Sequence, residues 1–297
     1  MVRRARTRHI LEARDTRLLL GERTMIMGIM NLTPDSFSRD GRLAVSRDPL
    51  THVRFAQKLV RDGADILDIG GESTRPGACK ISIREELQRI LPTLRLLVKK
   101  IRVPVSVDTY KPQVAIAALN EGACIINNIM GVKPDVRLLK AVRDSGAAIV
   151  LMHMRATPLT MQKNPVYRDV VGDILTGLRH AVEKCLEIGI KKNRIIIDPG
   201  FGFGKTVQHN LKILRRLRSF EVLCYPVLAG TSRKSFIGRV LGQAAFGEPR
   251  LGRERSDQRM IGSVATACAA VLNGAHIVRV HDVAATRQAV VMADAIL

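Results

Sequence analysis

The chain has no tryptophan, and aromatic residues make up only 3% of it. Single-strand nucleic-acid binders rely on aromatic stacking platforms, which so few rings do not supply. No helix-turn-helix, zinc-finger or RNP pattern is present either, so a nucleic-acid function is not expected. Long hydrophobic runs are also missing. Residues 264–272 are interrupted by Thr266 and fall well short of the roughly 20 residues that cross a bilayer, so no membrane partner is expected. The start Met1-Val-Arg-Arg-Ala-Arg-Thr-Arg-His9 is basic, but no apolar stretch follows it, which argues against a secretory signal. The five cysteines, Cys79, Cys124, Cys185, Cys224 and Cys268, are an odd number with no Cys-x-x-Cys pair. That pattern argues against a disulfide framework and against a zinc ribbon, and predicts reduced thiols in a cytoplasmic protein. Acidic residues are scarce, 27 against 48 lysines and arginines, for a net charge of +21. Such an excess permits polyanion or membrane-surface binding, or attraction of small anionic substrates, and composition alone does not choose among them.

With 297 residues, 46% of them hydrophobic, the chain is long enough for one large α/β barrel or two smaller domains. Short apolar runs recur at 25–30, 65–69, 103–107, 124–126, 147–152, 195–197, 225–229 and 275–280, each ending in polar or glycine-rich residues. Between them lie segments of helical spacing, such as Val53, Ala56, Leu59 and Val60, or Leu87, Ile90, Leu91, Leu94 and Leu97. Strand then helix, eight times, with polar residues after nearly every strand, predicts a (β/α)8 TIM barrel rather than a doubly wound sheet. One domain over 1–297 is expected, with residues 1–22 forming a basic arm and a strand or hairpin at Leu18-Leu-Leu20 that plugs the bottom. Asp62-Gly63, Glu121-Gly122, Ser145-Gly146, Ile188-Gly189 and Asn273-Gly274 each stand just before a strand and read as helix stops. The basic clusters Lys99, Lys100 and Arg102, then Lys191, Lys192 and Arg194, then Arg215, Arg216 and Arg218 fall at the same helix ends. They are expected at the bottom of the barrel as solvated charge that complements helix dipoles.

Chemistry in such a barrel sits where the strands end. The first run is followed by Asn31-Leu-Thr-Pro-Asp-Ser-Phe-Ser38, and the second by Asp68-Ile-Gly-Gly-Glu-Ser-Thr-Arg-Pro-Gly77. Paired glycines there allow close backbone approach, and Thr74 and Arg75 can meet an anion. The third and fourth runs place Asp108 and Asn127 at neighbouring tips, a carboxylate beside an amide, suited to a ring with both donors and acceptors. Met152 closes the fifth with a thioether that packs well on a flat ring. His153 has no second His or Cys at ligand spacing and is expected to be structural. The sixth gives Asp198-Pro-Gly-Phe-Gly-Phe-Gly-Lys205, and the seventh Gly230-Thr-Ser-Arg-Lys234, without the spacing of a P-loop. In the eighth, Arg279 and His281 share a strand face, and two phosphate-seeking groups on one face suggest a diphosphate.

These motifs, in this order from Met25 to Val283, resemble the dihydropteroate synthases of folate biosynthesis. The resemblance implies condensation of 6-hydroxymethyl-7,8-dihydropterin diphosphate with 4-aminobenzoate, through a pterin methylene cation, in a homodimer. It implies a pterin pocket of Asp108, Asn127, Asp198 and Lys234 lined by Met152. It further implies diphosphate and Mg²⁺ handling by Asn31, Thr74, Arg279 and His281, with Asn31 as the metal ligand. The aminobenzoate is implied near Asp35, Phe37, Arg75 and Pro76, with Phe203 and Ser232 opposite. Asp35, Asp108, Lys234, Arg279 and His281 are the implied catalytic set. A related pterin-binding barrel that passes a methyl group to a corrinoid would share the Asp and Asn pocket, but Thr-Ser-Arg-Lys-Ser and Arg-Val-His favour diphosphate chemistry. Two departures stand out: Asn128 where the family commonly has Asp, and Ser38-Arg-Asp-Gly-Arg42 in place of an acidic, glycine-rich run. Residues 261–272 are the candidate contact face between subunits.

Overall fold

Side chains on a strand alternate between faces, and the eight apolar runs spend one face on a surrounding ring of helices and the other on a barrel interior. The computed structural model describes residues 6–33, 48–73, 78–155, 160–242 and 253–297, with side chains from 259 in the last stretch. Strands β1 (His9–Ala13) and β2 (Thr16–Leu20) pair as an antiparallel hairpin. The barrel strands are β3 (Met25–Asn31), β4 (Ile66–Gly70), β5 (Val105–Asp108), β6 (Ile125–Asn128), β7 (Ala148–Met152), β8 (Ile195–Asp198), β9 (Leu228–Ala229) and β10 (Ile277–Val280). Their order is β8-β7-β6-β5-β4-β3-β10-β9, and a parallel bridge between Ile197 and Val227 joins the two ends into a closed ring. The predicted (β/α)8 barrel is the observed fold. The seventh strand is shorter than its apolar run because Pro226 has no N–H to give; its carbonyl accepts from Ile197 N instead, at 3.0 Å.

The helices follow their strands: α1 (Pro49–Arg61), α2 (Ile83–Lys100), α3 (Pro112–Asn120), α4 (Val136–Ser145), α5 (Val170–Glu187), α6 (Val207–Arg215), α7 (Ser235–Val240), α8 (Arg253–Leu272) and α9 (Val283–Ile296). All five expected helix-stop glycines have positive φ, between 74° and 105°. A residue with a Cβ is strained in that conformation, so these glycines end each helix and turn the chain into the next strand.

The interior row of each strand changes character along its length. At the bottom it is apolar: Met25, Met27, Ile66, Ile125, Ala148, Val150, Ile196, Leu228 and Ile277 pack together with Leu11, Ala13 and Leu20 of the hairpin. The plug is therefore a two-stranded hairpin, and burying Leu11 and Leu20 contributes about 1.5–3 kcal/mol each. Arg6, just before it, is buried and donates to Asp294 of α9 at 2.6 Å and to the Ala275 carbonyl at 2.9 Å, stitching the arm to the last helix. The basic cluster ahead of β8 lies at this lower end as expected. Arg194, however, is half-buried beside Glu12 at 4.0 Å, while Lys191 and Lys192 remain exposed.

Candidate active site

Two residues further along the same interior rows, the side chains turn polar. Asp68, Asp108, Asn127, Asp198 and Arg279 come from interior positions in the upper parts of their strands. Strand register aligns them: Gly70 lies opposite Asp108, Asp108 opposite Asn127, and Met152 opposite Asp198. A glycine at position 70 leaves the floor beside Asp108 open, since a Cβ there would stand 3.5 Å from the Asp108 Cβ.

Asp68 is fully buried at 0% exposure and is the hub of this layer. One of its oxygens accepts from Arg279 Nε at 2.6 Å and from Asn127 Nδ2 at 3.1 Å, while Arg279 Nη2 donates to Asp108 at 2.9 Å. The second oxygen of each aspartate is buried without a hydrogen-bond partner among the described residues, and that of Asp108, 9% exposed, is left to accept from a group in the barrel mouth. Burial raises the Asp108 carboxyl to about 7, helped by Asp68 and Glu86 and opposed by Arg279 and Lys234. Burial likewise raises Asp198 to about 6, against the Gly200 N–H that donates to it at 2.7 Å and against Lys234, Lys205 and Arg279. Two carboxylates held near neutrality beside an amide match a heterocycle that presents both donors and acceptors.

One wall of the space is apolar: Ile129, Met152, Met154, Met161 and Phe203 form a cluster with Tyr110 and Met130 beside it. Lys234 Nζ lies 3.9 Å from the centroid of the Phe203 ring, a cation–π contact. Opposite, the Ser232 hydroxyl accepts from the His281 N–H at 3.2 Å and lies 3.0 Å from His281 Nδ1. The hydroxyl has two acceptor lone pairs and one proton, so it bonds the amide and one ring nitrogen of His281 together and holds the imidazole in place. Asn31 ends β3, half-buried, with its Oδ1 near Gly70.

Several expectations change in detail. Arg279 is not an unattached phosphate-seeking group: its Nε and Nη2 are taken by two carboxylates, because the strand register brings Asp68 and Asp108 within reach of one guanidinium. Only Nη1 has no bond to a described residue. Arg233, in the Thr-Ser-Arg-Lys run, turns away and forms a two-point pair with Asp282 at 2.6 and 3.1 Å. Asn128 is buried and accepts from Met130 N at 2.9 Å, closing the turn after β6. His153 is buried, lowered by burial to about 3, and so neutral, in keeping with a structural role. Asp35, Phe37, Thr74, Arg75 and Pro76, together with the unusual Ser38-Arg-Asp-Gly-Arg42 run, lie outside the described residues.

Sequence reading passed over two features. Asp68 was visible only as the start of a motif, although an acidic residue at an interior strand position just before Gly70-Gly71 is itself a signal. Behind β5, Lys111 Nζ lies 3.0 Å from Glu72 and 2.7 Å from Glu86, and burial raises the Glu86 carboxyl. Glu86 gave no warning, since an acid in the first turn of a helix ordinarily faces water. Among the described residues no cluster of three or more His, Cys, Asp or Glu side chains could hold a metal ion.

Comparison with known proteins agrees with this geometry. Residues 27–281 match the family described as pterin binding enzyme. The dihydropteroate synthase of Haemophilus influenzae is 46% identical over 261 residues, covering 88% of this chain and 90% of that protein. The crystal structure of Xanthomonas albilineans dihydropteroate synthase with 4-aminobenzoic acid superposes with a TM-score of 0.85 at 40% identity, covering 98% of both chains. That of Burkholderia cenocepacia dihydropteroate synthase complexed with 7,8-dihydropteroate gives 0.82 at 40% identity, covering 97% of this chain and 96% of the other. With the fold, the polar layer at the strand tips and nearly the whole length in common, the chain belongs to the pterin-binding enzyme family, among its dihydropteroate synthases.

Proposed function

We infer that this chain condenses 6-hydroxymethyl-7,8-dihydropterin diphosphate with 4-aminobenzoate, giving 7,8-dihydropteroate and diphosphate. The observation that carries the reading is the buried Asp108, Asn127 and Asp198 layer, closed by Lys234 on one side and by the Ser232–His281 pair on the other. In it, Asp108, Asn127 and Asp198 hydrogen-bond the pterin ring, Met152 packs on it, Lys234 donates to it, and Phe203 and Ser232 border the aminobenzoate. The C–O bond breaks with its electron pair leaving on diphosphate, and the methylene cation left behind faces the carboxylates of Asp108 and Asp198. The lone pair of the aminobenzoate nitrogen then forms the C–N bond, and the nitrogen releases a proton. No protein nucleophile is required. His281 Nε2 and the remaining N–H of Arg279 hold the leaving diphosphate.

Asn31 supplies one amide oxygen at the open end of β3, which suits a Mg²⁺ that keeps waters and arrives with the phosphates of its substrate. When bound, that ion would neutralise charge on the departing diphosphate. Thr74, Arg75, Pro76, Asp35 and Phe37 complete the diphosphate and aminobenzoate sites in this reading. A homodimer is supported by the apolar outer face of α7, α8 and α9, where Ile261 is 74% and Met292 63% exposed and Val240, Leu241 and Ile296 are also bare. Of residues 261–272, Ile261 and Leu272 are exposed, and sedimentation of the purified chain tests the dimer. The free cysteines support a cytoplasmic location. The deciding experiment is diphosphate release with both substrates, compared with pterin binding alone. Release that requires 4-aminobenzoate establishes the reaction; pterin binding without turnover identifies a non-catalytic relative.

A further inference from the structure

Lys205 is buried at 3% exposure, yet its hydrogen bonds to described residues run to backbone carbonyls and a histidine ring rather than to a carboxylate. Its ammonium is instead surrounded by backbone: the carbonyls of Gly200 and Phe203 accept from Nζ at 2.9 Å each, and that of His153 at 3.2 Å. The neutral imidazole of His153 adds Nδ1 at 3.3 Å. An ammonium has three N–H groups, and here three carbonyls converge on it. They converge because the loop after β8 is left-handed at Gly200, Gly202 and Gly204, with φ of 71°, 80° and 62°. Gly200 admits nothing larger, since a Cβ would stand 2.0 Å from the His153 carbonyl oxygen. A loop folded this way turns its carbonyls inward, where the N–H groups of one lysine satisfy them, although burial lowers that lysine from its usual 10.5 to about 7.

We propose that Lys205 is a positioning residue: it gathers the carbonyls of two strand exits around one ammonium and thereby sets Phe203, and Lys234 above it, at the mouth of the pterin pocket. The chain of contact is short. The Phe203 carbonyl is held by Lys205, the Phe203 ring lies under Lys234 Nζ, and Asp198 begins the same loop. The other fastenings are peripheral. Asn210 accepts from Gly202 N at 2.7 Å, Gln162 donates to Gly202 O at 2.7 Å, and Tyr167 donates to Gly204 O at 2.9 Å. Lys205 joins the inner turn of the loop to the exit of β7, beside the backbone bond from His153 N to the Asp198 carbonyl at 2.9 Å. The inference rests on the pterin reading above and adds to it a residue that does not touch the substrate.

The test is Lys205→Met and Lys205→Gln in the full chain, with steady-state kinetics, hydroxymethylpterin calorimetry and thermal unfolding of each. Loss of positioning raises the KM for pterin diphosphate and weakens pterin binding by about tenfold in Lys205→Met. Lys205→Gln keeps two N–H donors and loses less. A residue that merely fills space lowers the folded fraction, and hence the apparent kcat, while both KM values and the pterin affinity of the folded molecules stay at wild-type level; that result overturns the proposal. If Lys205→Met does not fold, Lys205→Gln decides alone, and unchanged pterin affinity in it has the same force. Wild-type protein that binds no pterin would overturn the functional reading itself, before any variant is compared.

Discussion

Replacing Arg279 with alanine separates two roles for this side chain. Held as it is, the guanidinium neutralises Asp68, which is fully buried, and Asp108, which is nearly so. Alanine would leave two adjacent carboxyl groups in a site with little water. Breaking one side of a buried ion pair costs about 3–5 kcal/mol, most of it from the charge left behind. The Asp108 carboxyl, already raised to about 7 with Arg279 opposing the rise, would move higher still. Arg279→Ala is therefore expected to unfold at lower denaturant by an amount in that range. It should also weaken unphosphorylated hydroxymethylpterin as well as the diphosphate ester, because the carboxylates that read the ring lose their counter-charge. Adding Asp68→Asn to Arg279→Ala should restore part of the stability, a coupling that a double-mutant cycle measures. Urea unfolding and calorimetry with both ligands are the assays. If Arg279→Ala is as stable as wild type and only the diphosphate ligand loses affinity, the guanidinium acts on the leaving group alone and its support of the pterin-reading carboxylates is refuted.

Asp198→Asn is expected to weaken pterin binding by about 1.5–3 kcal/mol, the worth of a charged hydrogen bond, read by titration calorimetry. The same variant has a pH signature. Because the folded carboxyl is raised from 3.8 to about 6, its stabilisation is full below the lower value and lost as pH rises through the upper one. The ligand-free variant should therefore gain on wild type across that window, and parallel stability curves would refute the raised carboxyl. Exchange of the exposed Lys191 and Lys192 for glutamine should leave turnover nearly unchanged, since both precede β8 at the end away from Asp198. A large loss in correctly folded protein would mean that the lower face takes part in function.

Much of this protein was legible locally. A strand, a helix and a glycine stop are each written in a few neighbouring residues, so eight apolar runs and five stop glycines were enough for the barrel. Because interior positions recur with period two, Asp108, Asn127, Met152, Asp198 and Arg279 could be placed at strand tips before their neighbours were known. What the tertiary structure alone decided is which of these groups meet. Arg279 and Asp68 are 211 residues apart in the chain, and only the closed ring and its register bring them to 2.6 Å. The burial of Glu86 beside Lys111, the turning of Arg233 to Asp282 and the gathering of three carbonyls on Lys205 have the same origin. Desolvation and hydrogen bonding depend on everything within a few ångströms, and that neighbourhood is assembled from distant parts of the chain. The sequence by itself settled which chemistry stands at the strand ends; the packed barrel settled how that chemistry is charged and paired.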